Sequence, residues 1–424
     1  MHVRQWLLAA CSPRLGIRKE SMRLCFIADY GSPTAANWIG HFAQLGHDVH
    51  VLSTGAWTRT IGAVQVHGLG ASFESQPSRR GGLSLPDPNT LRGKVVTTVW
   101  GSVVLPYRLC RYARTVQEHI AEIRPDLLHC LRIPIEGELG MLSGFRPLLV
   151  SIWGNDLTLY CKRSWFHRFQ TNRVLQSADG VLADCQADLD RAVAMAATRQ
   201  FETLVVPGGA GIRSELFYPG PVAPLVRQQF GIPKAARVVL NPRGVRGYIR
   251  HDTVFAAMRR VVDEIPDAVL VCVGLKGWAP AEKWIAQHQL GRSVIMTEVL
   301  SQAEMPMLYR TADLCVSIAE HDGTPNSLLE AMASGAVPIC GDLPSIREWI
   351  VPGINGGIVP SDAPEMLAAE IVRCLRNPEF CHNAAEYNQR LIRDRATYPR
   401  CMLSAEHLYH DVIQRYQLQS AAQH

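Results

Sequence analysis

Short apolar runs alternate with helical stretches along almost the whole chain, and this alternation limits the fold more than any other feature. The first series opens with an apolar run at 23–28, then the loop Asp29-Tyr30-Gly31-Ser32-Pro33-Thr34, a helix over about 35–45 stopped by Gly46, and a strand at 48–52. Further strands are expected near 127–129, 148–153, 181–184 and 204–206. The runs are bounded by turn residues and separated by helical segments, so they read as buried strands pairing in parallel. Pro207-Gly208-Gly209-Ala210-Gly211 breaks the rhythm. A second series begins at 237–241. It continues through helix 252–262, strand 268–274, helix 280–289, strand 293–297, helix 304–311 and strands 314–318 and 337–340. A turn at 355–357 and a helix at 364–375 follow. Such a pattern implies two α/β halves, each built on parallel strands. The divisions are a leader at 1–21, a first domain at 22–210, a linker at 211–236, a second domain at 237–390, and a terminal helical segment at 391–424.

Length and composition agree. At 424 residues the chain exceeds one ordinary core. It is 47% hydrophobic and 19% charged, as in water-soluble globular proteins. Its 12 cysteines include no Cys-x-x-Cys pair, and Cys25, Cys272, Cys315 and Cys340 lie in apolar strand-like runs. That usage reads as reduced, buried thiols of a cytoplasmic protein rather than a disulfide framework or a zinc site. No apolar run approaches the ~20 residues that span a bilayer. The leader shows no periodic pattern, and Met22 directly precedes the first strand.

The segment Asp322-Gly323-Thr324-Pro325-Asn326-Ser327-Leu328-Leu329-Glu330 concentrates the candidate chemistry. It follows the strand expected at 314–318, with Thr324 read as N-cap, Pro325 as the first helical residue and Gly335 as the stop. A helix start offers unpaired N–H groups and partial positive charge to an anion. Glu330 lies too deep for a cap, on a mostly apolar helix, where a carboxylate needs hydroxyl or N–H partners.

Two acids eight apart around Gly-x-Pro, followed by Glu330-Ala331-Met332-Ala333-Ser334-Gly335, resemble the nucleotide-sugar site of family-4 retaining glycosyltransferases. The resemblance covers roughly residues 22–390. It implies two Rossmann-like domains facing across a cleft, the GT-B arrangement, with the C-terminal helix crossing back to the first domain. It implies that Glu330 holds the donor ribose, while Asp322 and the loop Gly323, Thr324, Pro325, Asn326 and Ser327 hold the sugar and phosphate. The family usually has Glu where this chain has Asp322. After the strand at 237–241, Arg243 matches a family arginine on the diphosphate. A lysine often found five residues later is replaced by Tyr248, leaving Arg246, preferred to Arg250, as the second cation. The Gly31 loop is expected to close over the phosphates with its backbone N–H groups. It is no dinucleotide fingerprint, because Gly31 stands alone. Asp156, in Gly154-Asn155-Asp156, resembles a family element near the acceptor, and as a helix cap it would look the same in sequence. His129 closes a Pro-Asp-x-x-His element and reads more readily as structural.

Asp188-Leu189-Asp190 matches the metal motif of the other large glycosyltransferase fold, but the run reads as an exposed helix turn. Arginines and helix N-termini do the metal's work in GT-B enzymes, so no metal or other cofactor is expected beyond the nucleoside diphosphate sugar itself. Residues 1–210 carry 22 Lys and Arg against 16 Asp and Glu. The excess gathers around 79–114, and apolar residues from Val99 to Ile120 keep helical spacing. A basic amphipathic helix at 92–120 can lie on an anionic membrane, or it can face the core with a solvated basic side. The first reading makes a lipid-linked sugar a plausible acceptor. Outside the 92–120 region, the interleaving of basic stripes with aromatics expected of a nucleic-acid binder is not read, and that partner is set aside. The function implied is a retaining glycosyltransferase of polysaccharide, glycolipid or glycoconjugate synthesis. A different GT-B enzyme, an epimerase or a phosphorylase, and a non-catalytic sugar-nucleotide-binding protein stay open.

Overall fold

The computed structural model describes residues 21–55, 62–69, 105–197, 199–221, 224–301 and 303–422. The leader, but for Ser21, lies outside them. Seven strands build the first sheet: β1 (Arg23–Ala28), β2 (Asp48–Ser53), β3 (Val64–Gly68), β4 (Leu127–Cys130), β5 (Leu148–Ile152), β6 (Gly180–Ala183) and β7 (Glu202–Val205). Their order is β3-β2-β1-β4-β5-β6-β7, and every pairing is parallel. The second sheet holds β8 (Arg237–Asn241), β9 (Ala268–Cys272), β10 (Val294–Met296), β11 (Leu314–Ser317), β12 (Val337–Gly341) and β13 (Gly357–Val359), ordered β10-β9-β8-β11-β12-β13, again all parallel. Two doubly wound α/β domains are therefore present, as the family resemblance implies.

Edge strands β3 and β13 escaped the sequence reading. β3 buries only Val64 within a polar stretch. The turn expected at 355–357 contains a wholly buried Asn355, whose amide donates to the Trp349 carbonyl and to Asn388, and β13 begins at Gly357.

Apolar side chains cover both faces of each sheet, because the covering helices turn their apolar stripes inward. The helix Leu105–Ile123 does so with Leu109, Ala113, Val116, Ile120 and Ile123, all buried. Its apolar stripe is thus in the core rather than free for a membrane; residues 92–104 lie outside the described ones. The eleven described cysteines are all free, and those in strands are buried.

The linker expected at 211–236 is largely second-domain structure. Ile212, Phe217, Val226, Phe230, Ile232 and Ala236 all join the second core, and a helix forms at Pro224–Gln229. The helix Pro378–Arg395 packs on the second domain, and the chain then crosses back. The final helix, Tyr398–Ala421, buries Met402, Ala405, Tyr409 and Val412 against the first sheet. Trp38 donates its indole N–H to the Tyr409 hydroxyl at 2.8 Å. His129 lies between that hydroxyl and Ser151 Oγ, and burial lowers its pKa to about 3. It is a neutral structural link between strand and helix.

The two interdomain crossings run side by side. Ile212 N–H donates to the Ala396 carbonyl, and Tyr398 N–H donates to the Ile212 carbonyl. Gly211 has φ +77°, and a Cβ there would stand 2.8 Å from the Ala396 carbonyl oxygen, so only glycine fits.

Candidate active site

In both sheets the strand order reverses once, between β1 and β4 and between β8 and β11. Doubly wound sheets bind ligands outside the carboxyl ends of strands at such switch points. The loops in question carry Gly31 after β1, Arg132 after β4, Arg243 after β8 and Asp322 after β11.

On the second-domain wall, Asn241 fixes the loop after β8. Its side-chain oxygen accepts from Arg243 N–H at 3.2 Å, and its amide contacts His251. Arg243 then reaches across to Asp322, Nη2 to Oδ2 at 2.7 Å, with both side chains only 13% exposed. Its Nη1 lies 3.5 Å from Ser317 Oγ and from Ser327 Oγ. Burial raises the Asp322 pKa, and Arg243 opposes that rise. Arg250 is engaged by Asp252 and Glu320. Arg246 is exposed and donates only to the neighbouring Val245 carbonyl; among the described residues it has no acidic partner.

The helix after Asp322 runs Asn326–Ser334. Pro325, in extended conformation, is its N-cap, one residue later than the sequence suggests, and no side chain caps it. Thr324 is buried and accepts the Trp349 indole N–H instead. The first-turn amides of Asn326 and Ser327 thus start a helix beside Arg243. Gly335 ends it at φ +93°. One turn in, Glu330 lies beside the Tyr309 hydroxyl. Burial raises its pKa to about 7, against the smaller opposing effects of Tyr309 and Arg243.

On the first-domain wall, Gly31 is exposed and its N–H donates to Asp29 Oδ1 at 3.1 Å. Asp156 is wholly buried. One oxygen accepts from Arg132 at 2.7 and 3.2 Å, and the other from the Ile133 and Trp153 amides. Its carboxylate is therefore committed to Arg132 and the backbone. The Arg132 side chain is 44% exposed, and Asp156 raises its pKa above the ordinary value. It also lies within electrostatic reach of Tyr248, on the opposite domain. The backbone around it is unusual, with φ +147° at Arg132 and +66° at Ile135, in the sparsely populated regions that cluster at functional sites. Sequence reasoning missed Arg132 because no motif surrounds it; its place two residues beyond β4, at the switch point, was the available signal.

The walls touch where both site loops meet. Asp184, just past β6, accepts from Gly154 N–H at 3.0 Å. A Cβ on Gly323 would fall 2.3 Å from either Asp184 oxygen. Asp184 Oδ1 is buried without a partner, and burial together with Asp188 holds its pKa well above the usual carboxylate range. Asp188 is fully buried rather than exposed and pairs with Arg191, while Asp190 accepts from the Gln186 side chain at the surface. The two acids of the sequence motif therefore do not converge. Asp184, Cys185 and Asp188 do offer ligand-type atoms within 4.8 Å of one another. Nearby, Glu348 of the second domain accepts from the Gln186 and Ala187 amides, capping a first-domain helix whose own N-cap, Cys185, contributes no side-chain bond.

Comparison with known proteins matches residues 31–209 to the family described as "Glycosyl transferase 4-like domain" and residues 223–391 to "Glycosyl transferases group 1". A D-inositol 3-phosphate glycosyltransferase of Segniliparus rotundus is 25% identical over 212 residues, covering 49% of this chain and 46% of that protein. The match thus spans less than half of that relative's length. Sucrose-phosphate synthase from Thermosynechococcus elongatus superposes with a TM-score of 0.71 at 15% identity, over 92% of this chain and 99% of the other. Anabaena Alr3699/HepE in complex with UDP-glucose gives 0.67 at 18% identity, over 91% and 99%. Both likenesses concern the fold, two Rossmann-like domains in the GT-B arrangement.

Proposed function

Because the chain belongs to the glycosyl transferases group 1, with a glycosyl transferase 4-like first domain, we propose that it moves a sugar from a nucleoside diphosphate sugar to an acceptor hydroxyl with retention of configuration. The observation that carries this reading is the Arg243–Asp322 pair at the β8/β11 switch point, beside a helix start without a side-chain cap. Glu330, one turn further, accepts the ribose hydroxyls. Asp322 and the 323–327 backbone hold the sugar. Arg243 and Arg246, with the Gly31 loop opposite, hold the diphosphate. As the bond from the anomeric carbon to the phosphate oxygen breaks, negative charge grows on the leaving phosphate, and fixed cations aimed there stabilise the transition state. The acceptor oxygen attacks from the same face, and its proton passes to the leaving phosphate, so no separate base is required. Asp156 is a positioning residue that holds Arg132 on the opposite wall. The diphosphate's charge is met by arginines and a helix N-terminus, so turnover should persist in EDTA.

A thermal-shift screen with nucleoside diphosphate sugars tests donor binding, and release of the diphosphate from the best stabiliser tests transfer. Stabilisation by no sugar nucleotide would overturn the proposal. Turnover only with orthophosphate would indicate a phosphorylase.

A further inference from the structure

The helix Trp165–Ser177 turns two aromatic side chains into solvent. Trp165 is 80% exposed and Phe169 is 52% exposed. Four residues apart, they share one face of the helix. Its opposite face buries Gln170, Thr171, Val174 and Leu175. Arg168 and Arg173, both exposed, flank the aromatic stripe, and exposed Lys162 and Arg163 lead into it. The Arg173 guanidinium sits 5.9 Å over the Phe169 ring, and Phe166, half-buried, stands edge-on to Trp165 at 6.1 Å. From 157 to 178 the sequence contains no Asp or Glu. A solvent-facing Trp and Phe ringed by four cations, Arg173 among them within electrostatic reach of the buried Glu138, has the chemistry of an interfacial anchor.

We propose that this face docks the first domain on an anionic lipid bilayer. Charge complementarity selects that occupant: Lys162, Arg163 and Arg168, exposed in a stretch of sequence free of Asp and Glu, fit a surface of lipid phosphates, and the two rings fit the boundary between headgroups and acyl chains. The patch also adjoins the cleft. It follows directly from the turn Asp156–Tyr160, whose Asp156 holds Arg132, and the Tyr160 and His167 rings meet edge-on at 4.6 Å. Docking therefore brings the acceptor wall to the membrane surface. Resting on the glycosyl-transfer reading above, this makes the acceptor a lipid-linked one presented from the bilayer. No described helix is long and apolar enough to cross a membrane.

The test is flotation of the full chain with phosphatidylcholine vesicles with and without phosphatidylglycerol. Binding is expected only to the anionic vesicles and should weaken with salt. Each cation near such a surface contributes roughly a fivefold factor in partitioning, so the Lys162→Ser/Arg163→Ser/Arg168→Ser variant should lose about a hundredfold. The Trp165→Ser/Phe169→Ser variant should lose binding as well. These positions are exposed, so a sugar nucleotide that stabilises the parent should stabilise both variants equally. Failure to float, equal binding to neutral vesicles, or binding unchanged in both variants overturns the proposal. So does a dimer in sedimentation velocity that the aromatic variant dissolves, which would assign the face to a second copy of the chain. Vesicle binding is read without donor, so its failure is distinct from failure of the transfer activity.

Discussion

Removing Arg243 should produce two separable losses. Its guanidinium is the partner of Asp322 at 2.7 Å, and both side chains are almost fully enclosed. Arg243→Ala therefore leaves a buried carboxylate without its cation. Breaking one side of such a pair costs about 3–5 kcal/mol, mostly the penalty of the stranded charge. In a domain of this size that corresponds to roughly 6–20 °C in the unfolding midpoint. The sign with pH is fixed. Asp322 already has a raised pKa through burial, and losing Arg243 raises it further. A carboxyl whose folded pKa exceeds its unfolded one contributes stability at low pH and loses it as pH rises through the folded value. The variant should thus lie closest to the parent in acid and fall behind as pH rises. Arg243→Ala/Asp322→Asn should regain most of the stability, because no buried charge is stranded. Turnover should behave differently: loss of one preorganised charge stabiliser costs roughly 10²–10³, and the double variant should not recover it. Differential scanning fluorimetry across pH and diphosphate release from a saturating donor measure the two losses. Near-parent turnover in Arg243→Ala would refute the catalytic role. A stability deficit independent of pH would refute the ion-pair argument.

Three further outcomes follow from the geometry. Glu330, with a pKa of about 7, should accept ribose hydroxyls best when ionised, so donor affinity should rise up to roughly tenfold between mildly acidic and mildly alkaline pH. Titration calorimetry of Glu330→Gln should show weaker binding without that slope; an unchanged slope would clear Glu330. Gly323→Ala should overpack against Asp184, costing about 1–3 kcal/mol, and Asp184→Ala should restore both the melting point and donor binding. Failure of the second change to rescue would show that the two walls do not meet there. Asp156→Asn and Arg132→Ala should slow transfer by roughly ten- to hundredfold, with the double variant no worse than Arg132→Ala alone, because the acid acts through the arginine. Additive losses would give Asp156 an independent role.

What the sequence revealed depended on how locally each feature is encoded. The second-domain wall was legible because it consists of two continuous stretches, 241–250 and 322–330, each with its own strand end and turn chemistry. Even there the helix start slipped by one residue. Thr324 is a good cap by local preference, but Trp349, 25 residues on, claims its hydroxyl. The linker reading failed for a similar reason. Pro and Gly punctuation marks turns, but it cannot tell whether Phe217, Val226 and Phe230 bury themselves in the following core. Asp188 looked exposed because its helix turn is polar in sequence, whereas it faces Cys185 and Asp184 at the domain boundary.

The first-domain wall is distributed, and this explains its silence. Gly31, Arg132 and Asp156 come from loops after β1, β4 and β5, each of which is undistinguished alone. They become a site only when a parallel sheet brings the three strand ends together. Arg132 then acquires an interdomain neighbour, Tyr248, at the position where the family often carries a lysine. The same reasoning extends to domain closure. Ile212 and Tyr398 pin the two crossings together, while Glu348 caps a helix that its own domain leaves uncapped. A helix N-terminus satisfied from across the cleft favours the closed pair by the attraction between a carboxylate and the helix dipole. The contact of Gly323 with Asp184 lies on the same boundary. The Glu348 cap and the approach of Gly323 to Asp184 thus join the two walls along one boundary.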